Sequence, residues 1–239
     1  VIYVLEVNPR ASRTVPFVSK ATGLQLAKIA ARVMAGKTLR ELGITQDPWP
    51  THISAKEVVL PFIKFPGVDI LLGPGMRSTG EVMGIDHSMG MAFAKSQIAA
   101  GSRIPQSGSV FISLNDHDKA KMGTLGKDLS ELGFTIMATR GTALALREQG
   151  VTVDEVYKVG DDVRPHIVDR MINGEVDWII NTPRGIESKA DERAIRRTAI
   201  EHGLPIMTTL AAAKAGVLGI RAMRDGKPVV MSLQEYHAG

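Results

Sequence analysis

The chain has no cysteine. That excludes a disulfide scaffold and thiolate metal sites, and it fits a reducing cytoplasm. Aromatic residues are scarce: two Trp, three Tyr and six Phe in 239 residues. Spread along the chain, they offer no platform of stacked rings interleaved with basic charge for nucleic-acid bases. No apolar run approaches the roughly 20 residues that span a bilayer, and no secretory pattern opens the chain. An excess of one charge is also missing. The net charge is +4, with 12 Lys/Arg against 7 Asp/Glu in residues 1–107 and 17 against 18 in residues 108–239. The second half is therefore not a basic nucleic-acid domain. Neither a membrane nor a nucleic acid is an expected partner. What is present is ordinary for a globular protein: 44% hydrophobic and 23% charged residues, enough for one large or two modest domains. The first residue is Val1, inside an apolar run, so the sequence reads as a piece cut from a longer chain.

Residues 1–7 are β-branched and apolar, the pattern of a buried strand. Leu26, Ile29, Ala30, Val33 and Met34 recur at helical spacing, with Gly36 as the stop. Residues 47–107 are broken by proline and glycine. They predict a strand or hairpin at 58–62, turns around Gly73-Pro74-Gly75 and a short helix at 91–100. From Gly108 the pattern becomes regular. Strands are expected at 110–114, 134–137, 156–159, 178–180, 205–207 and 229–233. Helices are expected along Met122, Leu125, Leu129 and Leu132, and at 142–147, 167–172, 191–202 and 210–223, with Gly133, Gly150, Gly174 and Gly203 as stops. Strands alternating with helices of this length mean βαβ units and a mostly parallel α/β sheet with helices on both faces. Such sheets bind ligands at the carboxyl ends of their strands.

Two constellations carry chemistry. In Glu6-Val7-Asn8-Pro9-Arg10, residues two apart on a strand share a face, so a carboxylate and an amide oxygen stand side by side. Hard oxygen donors suit Mg²⁺, which completes its shell with water and phosphate. Arg10, with Arg13 as a further candidate, offers a bidentate fork for phosphate oxygens. Metal, arginine and phosphates together make a phosphoryl-transfer site. The same residues would equally make a solvated surface turn. The second constellation lies at the junctions of the later half. Ser113, Thr139-Arg140-Gly141-Thr142 and Asn181-Thr182 end three predicted strands, with Lys119 and Lys158 nearby. Such residues cap helices, and the same positions turn backbone N–H groups and the positive helix end toward a phosphate. Ordinary capping with solvated lysines is the competing reading.

The stretch Glu6-Val7-Asn8-Pro9-Arg10-Ala11-Ser12-Arg13 and its continuation to Gly23 resembles the end of the second ATP-grasp module in the large chain of carbamoyl-phosphate synthetase. Met34-Ala35-Gly36-Lys37, Lys56-Glu57-Val58-Val59-Leu60-Pro61-Phe62 and Met76-Arg77-Ser78-Thr79-Gly80-Glu81-Val82-Met83-Gly84 continue the likeness, which covers the whole chain. The resemblance implies the C-terminal portion of that longer chain. It implies three segments: 1–46, the end of the ATP-grasp domain; 47–106, its connecting region; and 107–239, a regulatory domain like methylglyoxal synthase. Glu6 and Asn8 would then be ligands of Mg²⁺ or Mn²⁺ beside ATP, and Arg10 and Arg13 phosphate contacts of the catalytic site. The lid with its glycine-rich loop, the nucleotide-binding lysine and the second metal carboxylate of such a site are not in this sequence. The fragment alone is therefore expected to make no carbamoyl phosphate.

The order of the later motifs resembles the methylglyoxal-synthase-like domain, which also occurs in IMP cyclohydrolase and has a Rossmann-like parallel sheet. In the synthetases it binds UMP or IMP in bacterial members and N-acetylglutamate in urea-cycle members. By that resemblance Ser113, Lys119, Thr139, Thr142, Lys158 and Asn181 would contact a nucleotide, and Glu57 and Thr208 ornithine. Tyr157-Lys158-Val159 keeps a cation, which favours a phosphate ligand. Pro183 departs from the bacterial pattern, which has a hydroxyl residue there. For the full-length enzyme the resemblance implies bicarbonate, two ATP, ammonia from a small glutamine-hydrolysing subunit, and assembly as an oligomer.

Other features carry no chemistry. Gly73, Gly75, Gly80 and Gly84 lack the setting of a phosphate loop. The six His have no paired metal spacing. The Met read as core filler, and Trp49 and Trp178 as structural residues. Two other functions fit the later half. A free-standing methylglyoxal synthase needs carboxylates and a His beside the phosphate, and Asn181-Thr182-Pro183 offers no Asp at that strand end. A stand-alone nucleotide-binding module would differ only in lacking a catalytic partner.

Overall fold

A computed structural model describes residues 3, 4, 7, 10–60, 80–161, 163–182 and 189–238. Two helices open it, α1 (Thr14–Thr22) and α2 (Leu26–Met34). Gly23 ends α1 at φ +74°, in the left-handed conformation that glycine adopts without a Cβ clash. An antiparallel ribbon follows, β1 (Ile53–Val59) on β2 (Gly80–Asp86), with Lys56 opposite Met83. Helix α3 (Met89–Ala99) covers it, capped by the Ser88 hydroxyl, which accepts from Met91 N–H.

The five-stranded sheet that follows is wholly parallel. Its strands are β3 (Ser109–Leu114), β4 (Thr135–Thr139), β5 (Asp154–Val156), β6 (Trp178–Thr182) and β7 (Ile206–Met207), in spatial order β5-β4-β3-β6-β7. Its helices are α4 (Asp116–Lys119), α5 (Leu125–Glu131), α6 (Arg140–Arg147), α7 (Ile167–Ile172), α8 (Lys189–Glu201) and α9 (Leu210–Asp225). The chain winds outward from β3 to β5, then returns to lay β6 on the other side of β3. That reversal makes β3/β6 the topological switch point, where crevices open at the carboxyl ends of strands.

Strand parity divides the core into two layers. Val110, Ile112, Ile136, Trp178 and Ile180 face Leu125, Leu129, Leu146, Val217 and Ile220 of α5, α6 and α9. Phe111, Met137 and Ile179 face Ile167, Met171, Ile195 and Ala199 of α7 and α8. Both sheet faces are therefore buried, which is why these strands read as unbroken apolar runs.

Helix α3 joins the two sheets, lying on the ribbon with one side and on α9 with the other. The approach is close on both sides. A Cβ on Gly84 would overlap the Ala92 carbonyl oxygen and the Ser96 amide nitrogen, and one on Gly90 the Leu218 carbonyl oxygen. The chain ends in α10 (Leu233–Ala238), whose Tyr236 is buried.

Several elements differ from the sequence expectation. Tyr3, Val4 and Val7 are exposed and outside any strand; no described element lies over them, and β-propensity alone does not hold a strand. Residues 229–232 form no strand and Leu233 begins α10; Val230 is 97% exposed, with no partner strand among the described residues to bury it. The strand expected at 58–62 is centred earlier, on β1, and its partner β2 was not foreseen. The expected 156–159 strand is β5 followed by a 3-10 turn at Val159–Asp161. The helix face from Met122 is confined to α5, with the unforeseen α4 before it. Trp178 is fully buried, but Trp49 is 88% exposed and so no part of the core. The expected turns at 73–75 lie outside the described residues.

Candidate functional site

A cleft of about 520 Å³ opens at the carboxyl ends of β3, β4 and β6. Period-2 geometry builds it. Phe111, Met137 and Ile179 face α7 and α8, so the residues two further on, Ser113, Thr139 and Asn181, face the same side at the strand tips. Ser113 and Asn181 are register partners in the β3/β6 ladder. The Ser113 and Thr139 hydroxyl oxygens lie 3.3 Å apart. Thr139 occupies the position before α6 with extended backbone, yet its side chain makes no capping bond. Its hydroxyl lies instead beside that of Ser113 in the cleft lining.

Lys119 and Lys158 bring ammonium groups to the same cleft. Lys119 Nζ donates to Asp116 Oδ1 at 2.7 Å. It would lie 2.8 Å from a Cβ built on Gly141, so glycine there makes room for it. The Lys119 ammonium, with the more distant Lys158, holds the exposed Asp116 carboxyl below its ordinary pKa. Asp118 is held low mainly by the Thr182 hydroxyl, with the Asn115 amide adding to it and burial opposing. Also lining the cleft, Asp191 accepts from Gly160 N–H at 3.1 Å, while Glu192 is paired with Arg196 at 2.7 Å. The lining thus combines hydroxyl, amide and ammonium groups with the carboxylates of Asp116, Asp191 and Glu192. That arrangement suits a ligand with an anionic end and a hydrogen-bond-donating end.

Thr142 is fully buried and accepts from Leu114 N–H at 3.0 Å; it ties α6 to β3 and is not among the residues lining the cleft. Asn115, Asp116, His117, Asp191 and Glu192 do line it and were not singled out from sequence. The Asn115-Asp116 pair directly after a strand is a helix-capping signal that marks α4. Pro183 lies outside the described residues.

Arg10 and Arg13 line a second, smaller cleft of about 360 Å³ with Ser12, Lys56 and Glu81, where the opening segment meets the ribbon. Glu6 and Asn8 lie outside the described residues. Glu57 accepts from Gln97 Nε2 at 2.5 Å, which fastens β1 to α3. Thr208 is exposed after β7. Neither lines either cleft. Among the described residues no helix is long and apolar enough to cross a membrane.

The doubly wound sheet and its switch-point cleft define the later half as a Rossmann-like α/β domain. Residues 121–208 match the family model of the MGS-like domain, and residues 1–42 that of the carbamoyl-phosphate synthase L chain, ATP binding domain. The carbamoyl phosphate synthase large chain of Rhodopirellula baltica is 53% identical over 237 residues, covering 99% of this chain and 22% of its own length. That of a Nostoc species is 53% identical over 235 residues (98% and 21%), and that of Archaeoglobus fulgidus 52% over 237 (99% and 22%). The chain belongs to the carbamoyl-phosphate synthase large-chain family and corresponds to its C-terminal portion. It spans about a fifth of the length of these relatives.

Proposed function

We propose that this chain is the effector-sensing part of a carbamoyl-phosphate synthetase, joined to the end of its second ATP site. The convergence of Ser113, Thr139, Asn181, Lys119 and Lys158 on one cleft carries the reading. A nucleotide phosphate would take the hydroxyl and amide wall and the two ammonium groups, as in UMP or IMP, with Thr142 supporting from behind. Glu57 and Thr208 are proposed for ornithine. Segments 1–46, 47–106 and 107–239 would be the end of the ATP-grasp domain, its connector and the regulatory domain.

In the whole enzyme, Glu6 and Asn8 would supply hard oxygen donors for Mg²⁺ or Mn²⁺, and Arg10 and Arg13 would neutralise phosphate charge. The bound ion's chemistry is to offset charge developing on the transferred phosphoryl group. Bicarbonate, ammonia from a glutaminase subunit and two ATP would give carbamoyl phosphate in the cytoplasm. Effector binding would bias the ATP site through the ribbon and α3, a coupling of about 1–3 kcal/mol.

Calorimetric titration of UMP, IMP and ornithine into the chain tests this. Saturable heat with UMP or IMP that disappears in Lys158→Ala is expected. Heat unchanged by that substitution removes Lys158 from the site, and no heat with any of the three overturns the sensor reading. Dihydroxyacetone phosphate is expected to give no methylglyoxal, and the fragment to turn over no ATP.

A further inference from the structure

Lys119, the less exposed of the two lysines lining the cleft, does not stand on the sheet. It ends α4, four residues long. A helix this short has little stability of its own, so something else must fix where its ammonium points.

Asn115 directly precedes that helix and caps it. Its backbone N–H donates to Thr182 Oγ1 at 3.3 Å. Its side-chain amide donates to the Thr182 carbonyl oxygen at 2.9 Å, and Thr182 Oγ1 and Asp118 Oδ2 lie 3.1 and 2.7 Å from the same nitrogen. Its side-chain oxygen accepts from Asp118 N–H at 3.0 Å, and its carbonyl oxygen from Lys119 N–H at 3.0 Å. The side chain's donors and its oxygen are thus all engaged inside the protein. They join the end of β3, the end of β6 and the whole of α4, with Thr182 buried at the junction.

We propose that Asn115 is the positioning residue of the cleft: its side chain, taken up by Thr182 and Asp118, sets Lys119 for an anionic ligand. The proposal rests on the reading of the cleft as an anion site. Only an amide serves here. A carboxylate at the same position would turn the donor into an acceptor facing the Thr182 carbonyl oxygen and the Asp118 carboxylate, both of them acceptors.

The test is a double-mutant cycle on UMP affinity, measured by calorimetry on the full 239-residue chain with Asn115→Asp, Lys119→Ala and both. Asn115→Asp is expected to weaken UMP about tenfold, the size of losing a charge-linked hydrogen bond. In the Lys119→Ala background the same change should cost less than about twofold. Amide exchange at Asp118 and Lys119 should accelerate in Asn115→Asp while that of Val110 to Ile112 holds. Thr182→Val, which keeps shape and the carbonyl acceptor, provides the same cycle should Asn115→Asp not fold, with a loss of about threefold.

Effects of Asn115→Asp and Lys119→Ala that simply multiply would show that Asn115 acts on the sheet and not through Lys119, overturning the proposal. So would unchanged affinity in Asn115→Asp with the wild type still binding. A wild type that binds neither UMP nor inorganic phosphate removes the anion reading itself, and this proposal with it.

Discussion

Tyr236 and Lys95 stand 141 residues apart in sequence, and the Lys95 ammonium donates to the Tyr236 hydroxyl at 3.0 Å. That hydroxyl donates in turn to the Ile85 carbonyl oxygen at 2.8 Å. The ring packs beside His52, and His237 on the same helix bonds the Lys20 carbonyl oxygen at 2.8 Å. The last helix thereby fastens α1, the ribbon and α3 together. Tyr236→Phe keeps the ring and removes the hydroxyl from both partners. It is expected to destabilise the chain by about 1–2 kcal/mol, and Tyr236→Ala by about 3–5 kcal/mol. Urea midpoints measure both; a Tyr236→Phe chain as stable as the wild type would remove the hydroxyl from the account.

The same knot makes stability depend on pH at both ends. Burial works to raise the Asp86 pKa, but the Lys95 ammonium at 2.8 Å and the Ser88 N–H outweigh it and hold the carboxyl below its ordinary value. Burial works to lower the Lys95 pKa, but Asp86 and Tyr236 outweigh it and hold the ammonium above its ordinary value. A depressed carboxyl contributes stability above its unfolded pKa, which is lost as pH falls through the folded value. A raised ammonium contributes below its unfolded pKa, lost as pH rises through the folded value. The stability gap between wild type and Asp86→Asn should therefore be steady near neutrality and shrink as pH falls below about 4. Urea titrations across that range measure it, and a gap independent of pH would contradict it.

Asp116 is an internal counter-ion at the cleft mouth, 2.7 Å from the Lys119 ammonium. An incoming phosphate competes with it for that cation. Because the carboxylate is exposed, screening keeps the effect small. Asp116→Asn is expected to tighten inorganic phosphate or UMP by about threefold, with a steeper salt dependence. Weaker binding in that variant would make Asp116 a contributor to the site instead of a competitor.

Much of the cleft was legible because strand parity is strict. Once 110–114, 134–137 and 178–180 read as strands, Ser113, Thr139 and Asn181 follow as tips, and the structure turns all three to one side. Thr142 was legible as a junction residue, but only the fold shows its hydroxyl held by Leu114 N–H. Strand β2 was hidden by Gly80 and Gly84, because glycine weakens a strand pattern; Gly84 is there because α3 presses on the ribbon. Residues 229–233 misled for the opposite reason, since Val229, Val230 and Met231 are strand formers with no ladder beside them. Asn115 was invisible as a tie because its partner Thr182 lies 67 residues away.

The central claim is that the ends of β3, β4 and β6 hold one phosphate-bearing ligand. Backbone amide chemical shifts, followed by NMR while UMP is titrated into the chain, test it most directly. The account predicts saturable changes with a single affinity at Ser113 to Lys119, at Thr139 to Thr142 and at Asn181 and Thr182. Changes confined to Arg10, Arg13 and Lys56 at the second cleft, or none at the three strand ends, would contradict it.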